Sequence, residues 1–222
     1  MPALDRLVIG TRRYSSWSLR GWLAVRCAGL DVPDEVIALR GAGQTSEIHA
    51  ISPNALVPYL EHRGAKVWES LAICEYCAEI APALWPSERV ARAAARSIAS
   101  EMHAGFRALR QALPMNLGRE GRVLAVMPDE AQRDIETIDR LWSVTRGQFG
   151  ASGPYLFGAD FTNADIMFAP VVSRFTSYGI VLSPVADAYR TAVLDHPLMQ
   201  EWQRLAALEP VEWQLDRYES IA

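Results

Sequence analysis

The chain changes character near residue 81. Before it, short apolar runs alternate with segments of helical spacing; after it, every periodic segment repeats as a helix. Residues 7–9, 36–39, 58–61 and 67–68 read as strands, 16–28 and 70–80 as helices, and 44–51 as a short helix or turn, with a hairpin turn over 62–66. The order is βαβ, then α, then ββα. Ala81-Pro82-Ala83-Leu84-Trp85-Pro86 follows, a short apolar stretch bracketed by prolines that reads as a linker. Beyond it the pattern predicts one long Ala-rich helix over 88–113, ended by Pro114, and a polar loop over 118–126. A helix over 129–149 carries Ile135, Ile138, Leu141, Trp142 and Phe149 on one stripe. Thr162-Asn163-Ala164-Asp165 resembles a capping box and starts a helix over 166–175, and further helices cover 185–194 and 197–208. The expected fold is therefore an α/β domain (1–81), a linker (82–86) and an all-α domain (87–222).

Bulk properties exclude several function classes. A net charge of -4 and the lack of a dense Lys/Arg cluster argue against nucleic-acid binding. No apolar stretch is long enough to span a bilayer, and Met1–Arg6 lacks the apolar segment of a signal peptide, so a cytoplasmic location is expected. Cys27, Cys74 and Cys77 are too few for a disulfide framework. Cys74-Glu75-Tyr76-Cys77 matches C-x-x-C, but it lies inside a helical run rather than at a helix start. It reads as core rather than as a redox or metal site, and no metal site is expected.

Three segments carry chemistry. In Tyr14-Ser15-Ser16-Trp17-Ser18-Leu19-Arg20, three hydroxyls stand where a strand passes into a helix. Backbone N–H groups at a helix start have no intrahelical partner, and the helix dipole adds positive charge, so such a site stabilises an anion. Val57-Pro58 opens a strand whose main chain can pair with an extended peptide. Trp68-Glu69-Ser70 forms a second strand-to-helix junction, where Ser70 can bind a carboxylate and Glu69 an amino group. Each hydroxyl alone reads as a helix cap. Together the three segments describe a site for a small peptide with a free α-amino-acid end and a thiol.

At these residues the chain resembles the glutathione transferase family. The likeness rests on Ser15-Ser16-Trp17-Ser18-Leu19-Arg20, Ser52-Pro53-Asn54-Ala55-Leu56-Val57-Pro58, Glu69-Ser70-Leu71-Ala72-Ile73-Cys74-Glu75-Tyr76 and Phe161-Thr162-Asn163-Ala164-Asp165-Ile166. The first motif is most similar to the zeta class and related bacterial branches. Those carry Ser-Ser-Cys-Ser-Trp-Arg; here Trp17 stands in place of the cysteine, a departure that counts against maleylacetoacetate isomerisation. The resemblance implies a thioredoxin-like domain followed by a helical domain, a cis Val57–Pro58 bond, and a homodimer. It implies reduced glutathione as a substrate, held by Gln44, Val57, Pro58, Glu69 and Ser70. Ser15, or after it Ser16, would activate the thiol. The second-substrate site would take in Tyr14, Trp17, His103, Phe106, Arg110, Met115 and Phe175, with Arg107 read as solvated. The implied activity is transfer of glutathione to an apolar or aromatic electrophile, a detoxification reaction. The alternatives are a glutathione-dependent isomerase and a non-catalytic glutathione-binding protein. A thiol–disulfide oxidoreductase is disfavoured because serines stand where its cysteine would.

Overall fold

The computed structural model describes residues 5–40 and 45–221. Its first elements are β1 (Arg6–Gly10), α1 (Ser16–Cys27), β2 (Asp34–Ile37), α2 (Ser46–Ile51), β3 (Tyr59–His62), β4 (Ala65–Trp68) and α3 (Ser70–Ile80). The sheet order is β2-β1-β3-β4, with β1 and β2 parallel and the other neighbours antiparallel. β1 is buried on both faces, and the period of two divides its side chains. Leu7 and Ile9 enter the main core with Leu19, Trp22 and Ile73, while Val8 packs with Ile37, Ile48 and Tyr59. That places α1 and α3 on one face and α2 on the other, the thioredoxin-like arrangement. β2 lies two residues earlier than its sequence pattern suggests. Asp34 pairs in register with Leu7 and is fixed by Arg12, Arg26 and the Trp22 indole.

The β3–β4 hairpin turns on Arg63 and Gly64, both at positive φ (50° and 86°), as a two-residue type I′ turn demands. The Val57–Pro58 bond is cis, as the family resemblance implies. Pro58 packs against α1 at Gly21, where an added Cβ would lie 2.7 Å from the proline Cγ. Only glycine lets the helix approach this close.

A 3₁₀ turn at Pro82–Leu84 leads into the helical part: α4 (Arg89–Ala104), α5 (Arg107–Ala112), α6 (Asp129–Phe149), α7 (Asn163–Ser177), α8 (Pro184–Leu194), α9 (Pro197–Ala207) and α10 (Asp216–Glu219). The single helix expected over 88–113 is two. Gly105 ends α4, Phe106 adopts a left-handed conformation (φ 55°), and its ring turns into the core. Asp134 on α6 then accepts from the Leu109 N–H (2.9 Å), satisfying a donor at the new helix start. The helical spacing that relates Met102, Phe106 and Arg110 in the sequence is broken at this point. α6 and α3 keep the bounds read from the sequence. The capping box at Thr162–Asp165 is formed, and Asn163 Nδ2 donates to the Cys74 carbonyl (3.0 Å), tying α7 to α3. The C-terminal segment, which has no periodicity to announce it, returns to the loop between β1 and α1.

Candidate active site

The elements converge on a cleft of about 510 Å³, within the range of small-molecule sites. Tyr14, Ser15, Ser16 and Trp17 form one wall; Ala55, Leu56 and Val57 form the second; Arg107, Arg110, Pro114 and Met115 form the third. Leu215, Arg217 and Tyr218 close the fourth side, and Arg174 also borders the space.

Ser15 is the N-cap of α1. Its Oγ donates to Ser18 Oγ (2.7 Å) and accepts from the Ser18 N–H (3.3 Å), and Ser18 Oγ accepts from the Gly10 N–H (3.0 Å). Ser16 differs. Its Oγ accepts from Arg174 Nη2 (3.2 Å), which leaves its own proton for another acceptor. No acidic residue occupies the first turn of α1, so the positive helix end has no internal counter-charge there. Tyr14 is no competitor for a thiol: its hydroxyl donates to Glu219 and accepts from the Leu215 N–H (3.1 Å). Burial and the Glu219 carboxylate push that phenol up to about 12.

The first turn of α3 likewise holds no acid. Glu69, its N-cap residue, has a left-handed backbone (φ 70°), and its carboxylate accepts from Asn54 Nδ2 (3.2 Å). Ser70 is buried, and its Oγ has no hydrogen-bond partner among the described residues. A buried hydroxyl without a partner costs stability unless a ligand satisfies it. His103 links this junction to the cleft. Its Nε2 lies 3.8 Å from Glu69 Oε2, and its ring meets Trp17 edge-on at 5.3 Å. Burial, then the Arg20 charge, lowers the His103 pKa.

A sequence model described as "Glutathione S-transferase, N-terminal domain" matches residues 14–80, the span that holds both junctions. The maleylacetoacetate isomerase of Rattus norvegicus is 28% identical over 179 residues, 78% of this chain and 79% of that protein. Among solved structures, a glutathione transferase homolog from Burkholderia with bound glutathione aligns at a TM-score of 0.68 and 23% identity, covering 92% of this chain and 99% of its own. A bacterial zeta-class maleyl pyruvate isomerase aligns at 0.71 and 20% identity, covering 93% and 99%. Residues 14–80 are thus similar to the N-terminal domain of glutathione S-transferases, and the chain as a whole shares the fold of these solved structures.

The cleft is strongly cationic. Four arginines line it, Arg107, Arg110, Arg174 and Arg217, with no Asp or Glu among its lining residues. Arg174 is buried and donates only to neutral groups: Nε to the Leu113 carbonyl (2.7 Å), Nη1 to the Pro170 carbonyl (3.2 Å) and Nη2 to Ser16. Burial, then the nearby Arg110, pushes it down to about 10. Arg20 donates Nε to the Met167 carbonyl (3.0 Å), and its Nη1 has no partner among the described residues. Burial, then Arg174 and Arg110, pushes it down to about 9. The Trp17 ring lies between the guanidiniums of Arg20 (4.7 Å) and Arg110 (5.4 Å).

Of the residues singled out in the sequence, the structure brings Tyr14, Ser15, Ser16, Trp17, Val57, Arg110 and Met115 to one cleft. Pro58, Glu69, Ser70 and His103 stand next to it through the contacts above. Phe106 and Phe175 turn away into the core, Phe175 against Trp142 with ring centroids 5.5 Å apart. Gln44 lies outside the described residues. Cys74 and Cys77 are buried in α3, and burial raises both thiols, Cys77 to about 12. Sequence reasoning missed Arg174, Arg217 and Tyr218. For Arg174 a signal exists: an arginine inside the apolar run Ile166-Met167-Phe168-Ala169-Pro170-Val171-Val172-Ser173-Arg174-Phe175 belongs to a buried face, where a cation needs a reason. Nothing comparable marks the C-terminal wall.

Proposed function

We propose that this chain catalyses the addition of glutathione to a small electrophile that carries a carboxylate. The observation behind this reading is that serine hydroxyls at a helix start open into the same space as four arginines, with no acidic side chain in the lining. Reduced glutathione is the first substrate, as bound glutathione in the Burkholderia neighbour supports. Ser70 Oγ and the first N–H groups of α3 donate to the γ-glutamyl carboxylate, and Glu69 accepts from the α-ammonium. The Val57 main chain, backed by Pro58, pairs with the cysteinyl backbone. The thiol then lies at Ser15 and Ser16.

A free thiol has a pKa of about 8.5, so little of it is thiolate at neutral pH. Lowering it by ~2 units takes roughly 2.7 kcal/mol. One or two charge-assisted hydrogen bonds and a helix end are of that size. Ser16 has its proton available. Ser15 gains by turning from Ser18 to the sulfur, because a thiolate is a stronger acceptor than a neutral hydroxyl. The thiolate forms an S–C bond at the electrophilic carbon. The displaced π electrons move toward the substrate's electron-withdrawing group, and solvent returns the proton. Arg110, with Arg107 and Arg217 at the rim, holds the carboxylate, while Trp17, Leu56 and Met115 hold the apolar body.

A second reading, isomerisation, is favoured by the relatives named maleylacetoacetate isomerase. There the S–C bond forms, the former double bond rotates, and the thiolate leaves. Turnover of an unsaturated dicarboxylate, followed together with free glutathione, separates the two: consumed glutathione marks transfer, and conserved glutathione with cis–trans conversion marks isomerisation. A neutral aromatic electrophile that reacts better than an acidic one, with Arg110→Gln unchanged toward the acidic one, would overturn the carboxylate assignment. We extend the reading to a homodimer, as the family resemblance implies; light scattering in solution tests it.

A further inference from the structure

We infer that Arg174 is a positioning residue for thiol activation: by donating to Ser16 Oγ it fixes that hydroxyl so that the Ser16 proton is delivered to the glutathione sulfur. The inference rests on the cleft being a glutathione site and goes beyond it. A serine hydroxyl has one proton and two lone pairs. Arg174 Nη2 takes up a lone pair at 3.2 Å, so the proton points away from Arg174, toward the cleft that Ser16 lines.

Two further features of the Arg174 surroundings bear on this role. It has no carboxylate partner, whereas Arg12, Arg13 and Arg26 are each paired with Asp34 or Glu219. It is also held from three sides, because its other bonds run to the Leu113 carbonyl just beyond α5 and to the Pro170 carbonyl within α7. A buried cation with only neutral partners is costly, and an anion one hydroxyl away offsets that cost. Hydrogen bonds in such a chain polarise one another, so a cation behind Ser16 makes its proton a stronger donor. In the step itself the thiol proton leaves to water, and Ser16 keeps its own proton while donating it to the thiolate. The other charged or titratable groups facing this space are Arg107, Arg110, Arg217, Tyr14 and Tyr218, with Arg20 behind Arg174 and Glu219 bound by Arg13 and Tyr14.

The test is the thiol titration of glutathione bound to the protein, read from the ultraviolet absorbance of the thiolate. It compares wild type, Arg174→Met, Ser16→Ala and the double variant. Arg174→Met is expected to raise the thiol pKa by about one pH unit, a roughly tenfold loss of thiolate below that pKa. Ser16→Ala should match it, and the double variant should go no further. A shift from Arg174→Met that persists in full on the Ser16→Ala background overturns the inference, because the charge then acts alone. An unshifted titration in Arg174→Met also overturns it. Should Arg174→Met not fold, Arg174→Lys keeps the charge and most of the stem. It is expected to give a smaller rise that vanishes on the Ser16→Ala background, and a rise that stays there overturns the inference. If wild type itself fails to bind glutathione or leaves its thiol at the ordinary value, the glutathione reading of the cleft falls, and this inference falls with it. If wild type depresses the thiol and the Arg174 variants do so equally, only this inference falls.

Discussion

Among the helices that begin with a hydroxyl residue, α1, α3 and α7 put it to opposite uses. At the start of α7 everything is closed internally. Asp165 accepts from the Thr162 N–H (2.8 Å), the Thr162 hydroxyl (2.9 Å) and the Leu156 N–H (3.0 Å), and it supplies the negative charge that a helix start favours. The first turns of α1 and α3 hold no acid, the Ser16 proton is free for another acceptor, and Ser70 Oγ has no partner among the described residues. The same residue type therefore makes a structural cap where its bonds are complete and, on the proposed reading, a binding site where they are not. An incomplete cap carries a cost that a bound ligand can offset.

The sharpest way to break this contrast is to open the closed end. Asp165→Ala leaves three buried donors unsatisfied and is expected to cost about 3–4 kcal/mol. That corresponds to a Tm fall of about 10 °C by calorimetry, with the activity of the remaining folded protein unchanged. The reverse pattern is expected at α1. Ser15→Ala/Ser16→Ala should lower kcat/KM for glutathione conjugation about 100-fold, the scale of losing preorganised donors to a developing anion. Its stability should fall by the value of one cap, about 1 kcal/mol, and of the lost Arg174–Ser16 bond, about 1 kcal/mol more. A larger loss in Tm than in rate would make α1 a structural cap like α7. At α3, Ser70→Ala should raise the KM for glutathione about tenfold with kcat nearly constant. Because Ser70 Oγ is unpaired in the protein, Tm should hold or rise slightly. The smallest effect concerns His103 beside that junction. Its pKa lies below the ordinary histidine value, so on acidification the unfolded chain takes up a proton before the folded one does, and stability falls as pH drops through and below 6.5. His103→Gln should flatten that slope in urea unfolding, leaving the part due to His196, which burial lowers in the same direction.

The contrast also explains what the sequence could tell. Ser70–Ile80 and Asp129–Phe149 are bounded by local signals, a hydroxyl or an acid at the start and a break in periodicity at the end, and both are legible. The split between α4 and α5 is not. Nothing local distinguishes Gly105-Phe106 from a tolerated interruption in an Ala-rich helix, and the break is stabilised by Asp134 from another helix. β2 slid by two residues for the same reason, since its register answers to β1 and to Asp34's partners. The serine and Glu69-Ser70 junctions were legible because each is a short contiguous motif. The Arg174–Ser16 bond joins residues 158 apart, and no pattern within either segment announces it.

The bonds from Tyr14 to Glu219 and Leu215 have a consequence for how the protein is made. Tyr14 leaves the ribosome 205 residues before its partner Glu219 does. During synthesis this corner must stay unassembled while the sheet and most helices form around it. A pause in translation, or a bulky insertion near Leu215, would therefore be felt at the serine junction.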